Sequence, residues 1–128
     1  MTEIDPDRLY ASLAALGEIG AYRDERSGLM GVNRLALTAA DGAGRRHVIE
    51  RMKALGLSVT VDRIGNVYAR REGQRPELSP VMMGSHIDSV ETAGRFDGCL
   101  GVLGGLEVIA TLSDHRVQTL RPVVVGFF

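Results

Sequence analysis

The strongest constraint on this chain is one long apolar run set between two short ones. Gly98 to Leu112 contains a single charged residue, Glu107, with Pro80 to Gly84 upstream of it and Val123 to Phe128 downstream. The central run is shorter than the roughly 20 residues that span a bilayer and long enough for a buried helix. Gly101, Gly104 and Gly105 along it permit close backbone packing. The flanking runs predict short buried strands, with Met82 and Met83 in the core. Strand, helix, strand in this order calls for a layered α/β arrangement in which the helix covers a sheet.

The remaining segments extend that plan. Asp5 to Leu16 predicts a helix, with Leu9, Leu13 and Leu16 at helical spacing, Asp5 as cap and Pro6 in the first turn. A second helix is predicted from about Ala39 to Leu55. Thr38 and Asp41 form a capping-box-like start, and Val48, Ile49, Met52 and Leu55 form the apolar stripe. Ser58 to Asp62 and Asn66 to Arg71 predict a hairpin. Gly20 to Val32 reads as a loop, as does His86 to Gly98. The fold class is α/β, with helices packed on a partial mixed sheet.

Composition narrows the function. Fifteen Lys plus Arg stand against 16 Asp plus Glu, a net charge of -1, which argues against a nucleic-acid partner. One cysteine, Cys99, permits no internal disulfide and fits a reducing compartment. No run spans a membrane, and Met1 to Arg8 lacks a signal-peptide core, so the expected location is cytoplasmic. The chain stops within an apolar, strand-like run, whereas termini are usually exposed. A chain cut inside a core strand is the expectation; a complete protein ending on an edge strand is the alternative.

The chemistry concentrates in Met83-Gly84-Ser85-His86-Ile87-Asp88-Ser89-Val90 and Gly94-Arg95-Phe96-Asp97-Gly98. His86 and Asp88 fall just past the end of a predicted strand, and Asp97 opens the next helix. Loops beyond the C-terminal ends of strands are where α/β folds gather ligands. Histidine and carboxylate suit Zn, Mn, Co or Ni, and one carboxylate has two oxygens with which to bridge two ions. The plainer alternatives are a hydrogen-bonded loop histidine and an N-capping aspartate. A phosphate loop lacks support, since neither Gly-x-Gly-x-x-Gly nor Gly-Lys-Ser/Thr is present.

Gly84 to Val90, followed by Gly94-Arg95-Phe96-Asp97-Gly98-Cys99-Leu100-Gly101-Val102-Leu103-Gly104-Gly105-Leu106-Glu107, resembles the amidase branch of the M20 metallopeptidase-like family. That branch holds N-carbamoyl-L-amino-acid hydrolases, β-ureidopropionase-type enzymes and allantoate amidohydrolases. Gly31 to Thr38, Gly56 to Val59 and Asp62 to Val67 resemble segments of it too. The resemblance implies that residues 1–128 form one partial domain, the N-terminal part of a dinuclear-metal hydrolase catalytic domain. It implies two divalent ions, with His86 a ligand of one, Asp97 bridging both, and Asp88 a catalytic residue that supports the site from behind. It also implies a strained, cis peptide after Asp97, a small-molecule substrate and a homodimeric parent enzyme. The family's Glu-Glu pair, two further histidine ligands and smaller dimerisation domain have no counterpart in this chain. The fragment alone is therefore expected to be inactive.

Arg95 and Arg34 are candidates for the substrate carboxylate, although a solvent-facing position suits Arg34 better. Cys99 reads as a buried packing thiol. His47 and His115 match no ligand position and read as surface and loop residues. The other readings are allantoate hydrolysis, a non-catalytic remnant that pairs through an exposed edge at Val123–Phe128, and a small nucleotide-binding domain.

Overall fold

A computed structural model describes residues 3–128; Met1 and Thr2, at the head of the acidic N-terminal stretch, lie outside the described residues. The elements are α1 (Pro6–Gly17), β1 (Ala21–Arg23), β2 (Met30–Val32), α2 (Ala39–Ala54), β3 (Ser58–Val61), β4 (Val67–Arg71), β5 (Val81–Ser85), α3 (Cys99–Asp114) and β6 (Val123–Phe127).

The three apolar runs of the sequence become β5, α3 and β6. β5 and β6 pair in parallel, from Val81 opposite Val123 to Ser85 opposite Phe127. Parallel neighbours need a crossover, and α3 provides it. β4 then pairs antiparallel with β6, and β3 with β4, giving a mixed sheet of order β3-β4-β6-β5. β6 is thus an interior strand. The exposed edge proposed for Val123–Phe128 does not exist, because β4 and β5 occupy its two sides.

One face of the sheet carries the core. Val67, Ala69, Val123, Val125 and Phe127 project from it against Leu103, Leu106 and Ile109 of α3, Leu13 and Leu16 of α1, and Val48 and Met52 of α2. Each such fully buried side chain contributes about 1.5–3 kcal/mol. A Cβ on Gly105 would lie 3.1 Å from Val125, and one on Gly101 would lie 2.8 Å from Ser85, so both let α3 settle on the sheet. Gly104 meets nothing within 4 Å and has no such role.

The opposite face holds Met82, Tyr68 and Phe128, the last two edge to face at 6.0 Å. Met82 is 47% exposed, so its assignment to the core is corrected. Successive strand residues point to opposite faces; Met83 reaches the helices and Met82 does not.

The helix starts follow the sequence. Asp5 caps α1 by accepting from the Arg8 amide, with Pro6 at the first position. Thr38 caps α2 by accepting from the Asp41 amide at 3.2 Å, while the Asp41 carboxylate accepts from the Leu37 amide. The β3–β4 turn is held by Asp62, which accepts from the amides of Ile64 and Asn66.

The segment read as a loop at Gly20–Val32 contains a small antiparallel hairpin, β1–β2. Its strands have three residues each, too few to show alternation. The turn is held by Asp24, which accepts from Ser27. Among the described residues, no helix is long and apolar enough to cross a membrane.

Candidate functional site

β5 ends at Ser85, and the chain leaves the sheet as an extended segment through His86, Ile87 and Asp88. Ile87 is buried in the core, so its neighbours on either side turn the other way. His86 and Asp88 therefore share a face. Asp97 arrives from the far end of the loop, just before α3, and the structure brings all three together.

The His86 Nδ1 atom is 3.1 Å from the Asp88 carbonyl oxygen and 3.3 Å from Asp88 Oδ1. Both neighbours are acceptors, so a neutral imidazole carries its proton on Nδ1. Its Nε2 lone pair then faces Asp97 Oδ2 at 3.9 Å. Two lone-pair donors converging at this distance suit ligands of a shared cation, and a carboxylate behind the imidazole fixes its tautomer. The His86 side chain is 41% exposed and that of Asp97 is 83% exposed, so both are open to solvent. Among the described residues, no three His, Cys, Asp or Glu side chains gather around one point as a metal cage. The donor set fits a divalent ion through two ligands.

Gly98 shapes this corner. Its φ is +69°, and a Cβ there would fall 2.4 Å from the His86 ring, so the imidazole lies directly on the glycine. Gly98, not Asp97, occupies the N-cap position of α3, which leaves the Asp97 carboxylate free of a capping role. The cis peptide expected after Asp97 is corrected: the described residues contain no cis bond, and the turn is made by the left-handed Gly98.

Arg95 points elsewhere. Its stem lies over Gly17, and its guanidinium is 3.6 Å from Glu18, at the C-terminal end of α1. A groove of about 220 Å³ reaches the cluster at Asp88 and is also lined by Leu37, Asp41, Arg45, Asn66 and Phe128. A second concavity, of about 370 Å³, lies by β1 and β2 and holds none of the candidate residues.

Arg34 overturns both sequence expectations, since it neither faces solvent nor reaches a substrate. It is 1% exposed. Nε donates to the Ile87 carbonyl at 2.8 Å, and Nη1 donates to the carbonyls of Leu16 and Ile19. Nη2 contacts Cys99 Sγ at 3.2 Å. Cys99 is buried as expected, and burial pushes its thiol pKa up, against the pull of the adjacent Arg34. His115 caps the C-terminal end of α3, and His47 lies on α2.

A parallel β–α–β unit with a histidine and carboxylates gathered beyond the strand end is the framework of a metallopeptidase-like α/β domain. A model of Peptidase family M28 matches residues 66–128, the part that carries the cluster. Over 98% of its length the chain is 45% identical to an N-carbamoyl-L-amino-acid amidohydrolase of Pseudomonas sp. (strain NS671), and it spans 29% of that protein. The crystal structure of an amidase of the hydantoinase/carbamoylase family from Burkholderia multivorans superposes with a TM-score of 0.91 at 46% identity, covering 99% of this chain and 30% of that one. An allantoate deiminase 2 of Glycine max is 33% identical over 91% of the chain and 24% of its own length. The chain belongs to the hydantoinase/carbamoylase amidase family, of whose members it spans about three-tenths.

Proposed function

We propose that this chain supplies the His86–Asp97 half of a dinuclear-metal amidohydrolase that cleaves the linear C–N bond of N-carbamoyl-L-amino acids. The observation that carries the reading is the approach of His86 Nε2 to Asp97 Oδ2, 3.9 Å apart, with Asp88 behind the imidazole. The relatives named N-carbamoyl-L-amino-acid amidohydrolase support the substrate class. Divalent metal ions, when bound, supply polarisation of a carbonyl and an acidified water. His86 and Asp97 are the residues that hold them. Asp88 keeps the His86 proton on Nδ1 and so keeps Nε2 available.

Arg95 contacts a substrate carboxylate by leaving Glu18, an exposed pairing that costs about 0–1 kcal/mol to break. Two protein ligands fall short of the three or four that usually hold a catalytic ion. The chain by itself therefore binds metal weakly and turns over nothing. The remaining ligands and the general base come from outside this segment, in a parent enzyme that is a homodimer.

A second reading is allantoate hydrolysis, favoured by the plant relative named allantoate deiminase 2. The purified chain is titrated with Zn²⁺ and Mn²⁺ and assayed with N-carbamoyl-L-amino acids and allantoate. Weak binding that His86→Ala and Asp97→Asn abolish, with no product from either substrate, is the expected result. Metal-dependent ammonia release by the 128-residue chain would overturn the claim that it is incomplete.

A further inference from the structure

Arg34 bonds the backbone that supports the candidate site, although it touches no ligand side chain. Its guanidinium holds the Ile87 carbonyl, between His86 and Asp88. Its own backbone holds the next link: the Arg34 amide donates to Ser89 Oγ at 2.7 Å, and the Ser89 amide donates to the Arg34 carbonyl at 2.8 Å. Both neighbours of Asp88 are thus bonded to one residue 53 to 55 positions earlier in the chain. The Nη2 contact with Cys99 reaches the first turn of α3, two residues past Asp97. Residues on both sides of the proposed ion are fastened to the same side chain.

The fold makes room for this contact. A Cβ on Gly44 of α2 would lie 2.8 Å from Arg34 Cδ and 3.2 Å from its Nε, so that helix position is open only because it is glycine. Among the described residues, Arg34 has no carboxylate within salt-bridge distance, and its charge is met by carbonyl dipoles. Leu16 and Ile19 lie at the C-terminal end of α1, where the helix dipole is negative. A planar guanidinium with donors in a fixed fork can hold three carbonyls at set angles; a lysine ammonium cannot.

We propose that Arg34 is a positioning residue for metal capture. Through Ile87, Ser89 and Cys99 it sets the separation of His86 from Asp97 and the facing of Asp88 toward His86 Nδ1. The proposal rests on the reading of His86 and Asp97 as metal ligands, and its test separates the two.

Wild type, Arg34→Lys, Gly44→Ala and His86→Ala are compared as full chains, with Ile109→Ala as a core-cavity control remote from the loop. Zn²⁺ affinity is measured by calorimetry, and the His86 tautomer by imidazole ¹⁵N shifts in the metal-free chain. Gly44→Ala touches no proposed ligand and replaces a helical glycine by a better helix former, so α2 itself is not weakened while the Arg34 stem is displaced. Arg34→Lys and Gly44→Ala are expected to weaken Zn²⁺ binding by about 10-fold or more, the scale on which residues behind ligands act. They are also expected to replace a single Nδ1–H tautomer by a mixture. Ile109→Ala, although less stable, keeps both properties.

Wild-type affinity together with a single tautomer in both Arg34→Lys and Gly44→Ala overturns the proposal. So does an equal loss in Ile109→Ala, which would reduce Arg34 to general packing. If His86→Ala binds Zn²⁺ as well as wild type, the ligand reading fails instead. The tautomer measurement then decides the role of Arg34 alone.

Discussion

Among the described residues, the two most deeply buried charged side chains are stabilised in opposite ways. Glu107 on α3 and Arg34 ahead of α2 are each 1% exposed. Glu107 meets another charge: Arg8 donates to both of its oxygens at 2.8 Å, and Asp5 and Thr111 donate to it as well. Arg8 also reaches Asp114, so the pair fastens α1 to α3 at a joint away from the candidate site. Arg34 meets carbonyls and a thiol, at the joint that carries the site. The first arrangement is a charge pair whose strength depends on protonation. The second is a guanidinium held by neutral carbonyl dipoles, and it fixes backbone positions. One joint holds helices together; the other orients a loop.

Removing each residue tests the contrast, and Arg34 carries the larger effect. Arg34→Met leaves the carbonyls of Ile87, Leu16 and Ile19 without this donor. The Leu16 carbonyl keeps the Ile19 amide, so two carbonyls are left unmet; at about 1–3 kcal/mol for each, urea unfolding should show a loss of about 2–6 kcal/mol. A loss near zero would erase the distinction between the two sites. Glu107→Gln comes next, with an expected loss of about 2 kcal/mol, the scale of a hydrogen bond to a charged group. Arg8 is one-third exposed and recovers water when its partner is neutralised.

The pH dependence separates the two joints directly. The hydrogen bond from Arg8 holds the Glu107 carboxyl below the usual carboxylate range, against its burial, with Asp5 and Thr111 assisting. A depressed pKa contributes stability that is fully present above the unfolded value of about 4.3 and is lost as pH falls through the folded value. Urea midpoints taken from pH 7 down to pH 3 should therefore fall for the wild type, with a shallower decline in Glu107→Gln. An identical decline in both would assign the acid sensitivity to other carboxylates. The smallest effect belongs to the exposed Lys53–Glu50 pair on α2. Lys53→Ala should change stability by about 0.5 kcal/mol or less, which sets the floor against which the buried pair is measured.

The motif residues were legible because their chemistry is local. His86 and Asp88 are separated by one residue on an extended segment, and a period of two puts them on one face whatever surrounds them. The caps at Asp5 and Thr38 needed only their own neighbours. Arg34 was misread because the surface preference of arginine is a statement about an average environment. Its acceptors come from residues 16, 19 and 87, which only the completed fold assembles. Met82 was misread for a related reason: a short apolar strand does not reveal which of its faces a helix covers. Gly98 stood out as a motif glycine, but its contact with the His86 ring depends on the path of the loop between β5 and α3.

Sequence alone determined the three helices, the strands that flank α3 and the residue types at the candidate site. Those follow from period, turn chemistry and donor atoms along a short stretch of chain. Tertiary structure alone decided that Arg34 is buried, that the Glu107 carboxylate of α3 is sealed against Arg8, and that His86 and Asp97 face each other. Each of these depends on atoms distant in sequence meeting within hydrogen-bond range. A buried charge is tolerated only where the whole fold supplies its partners.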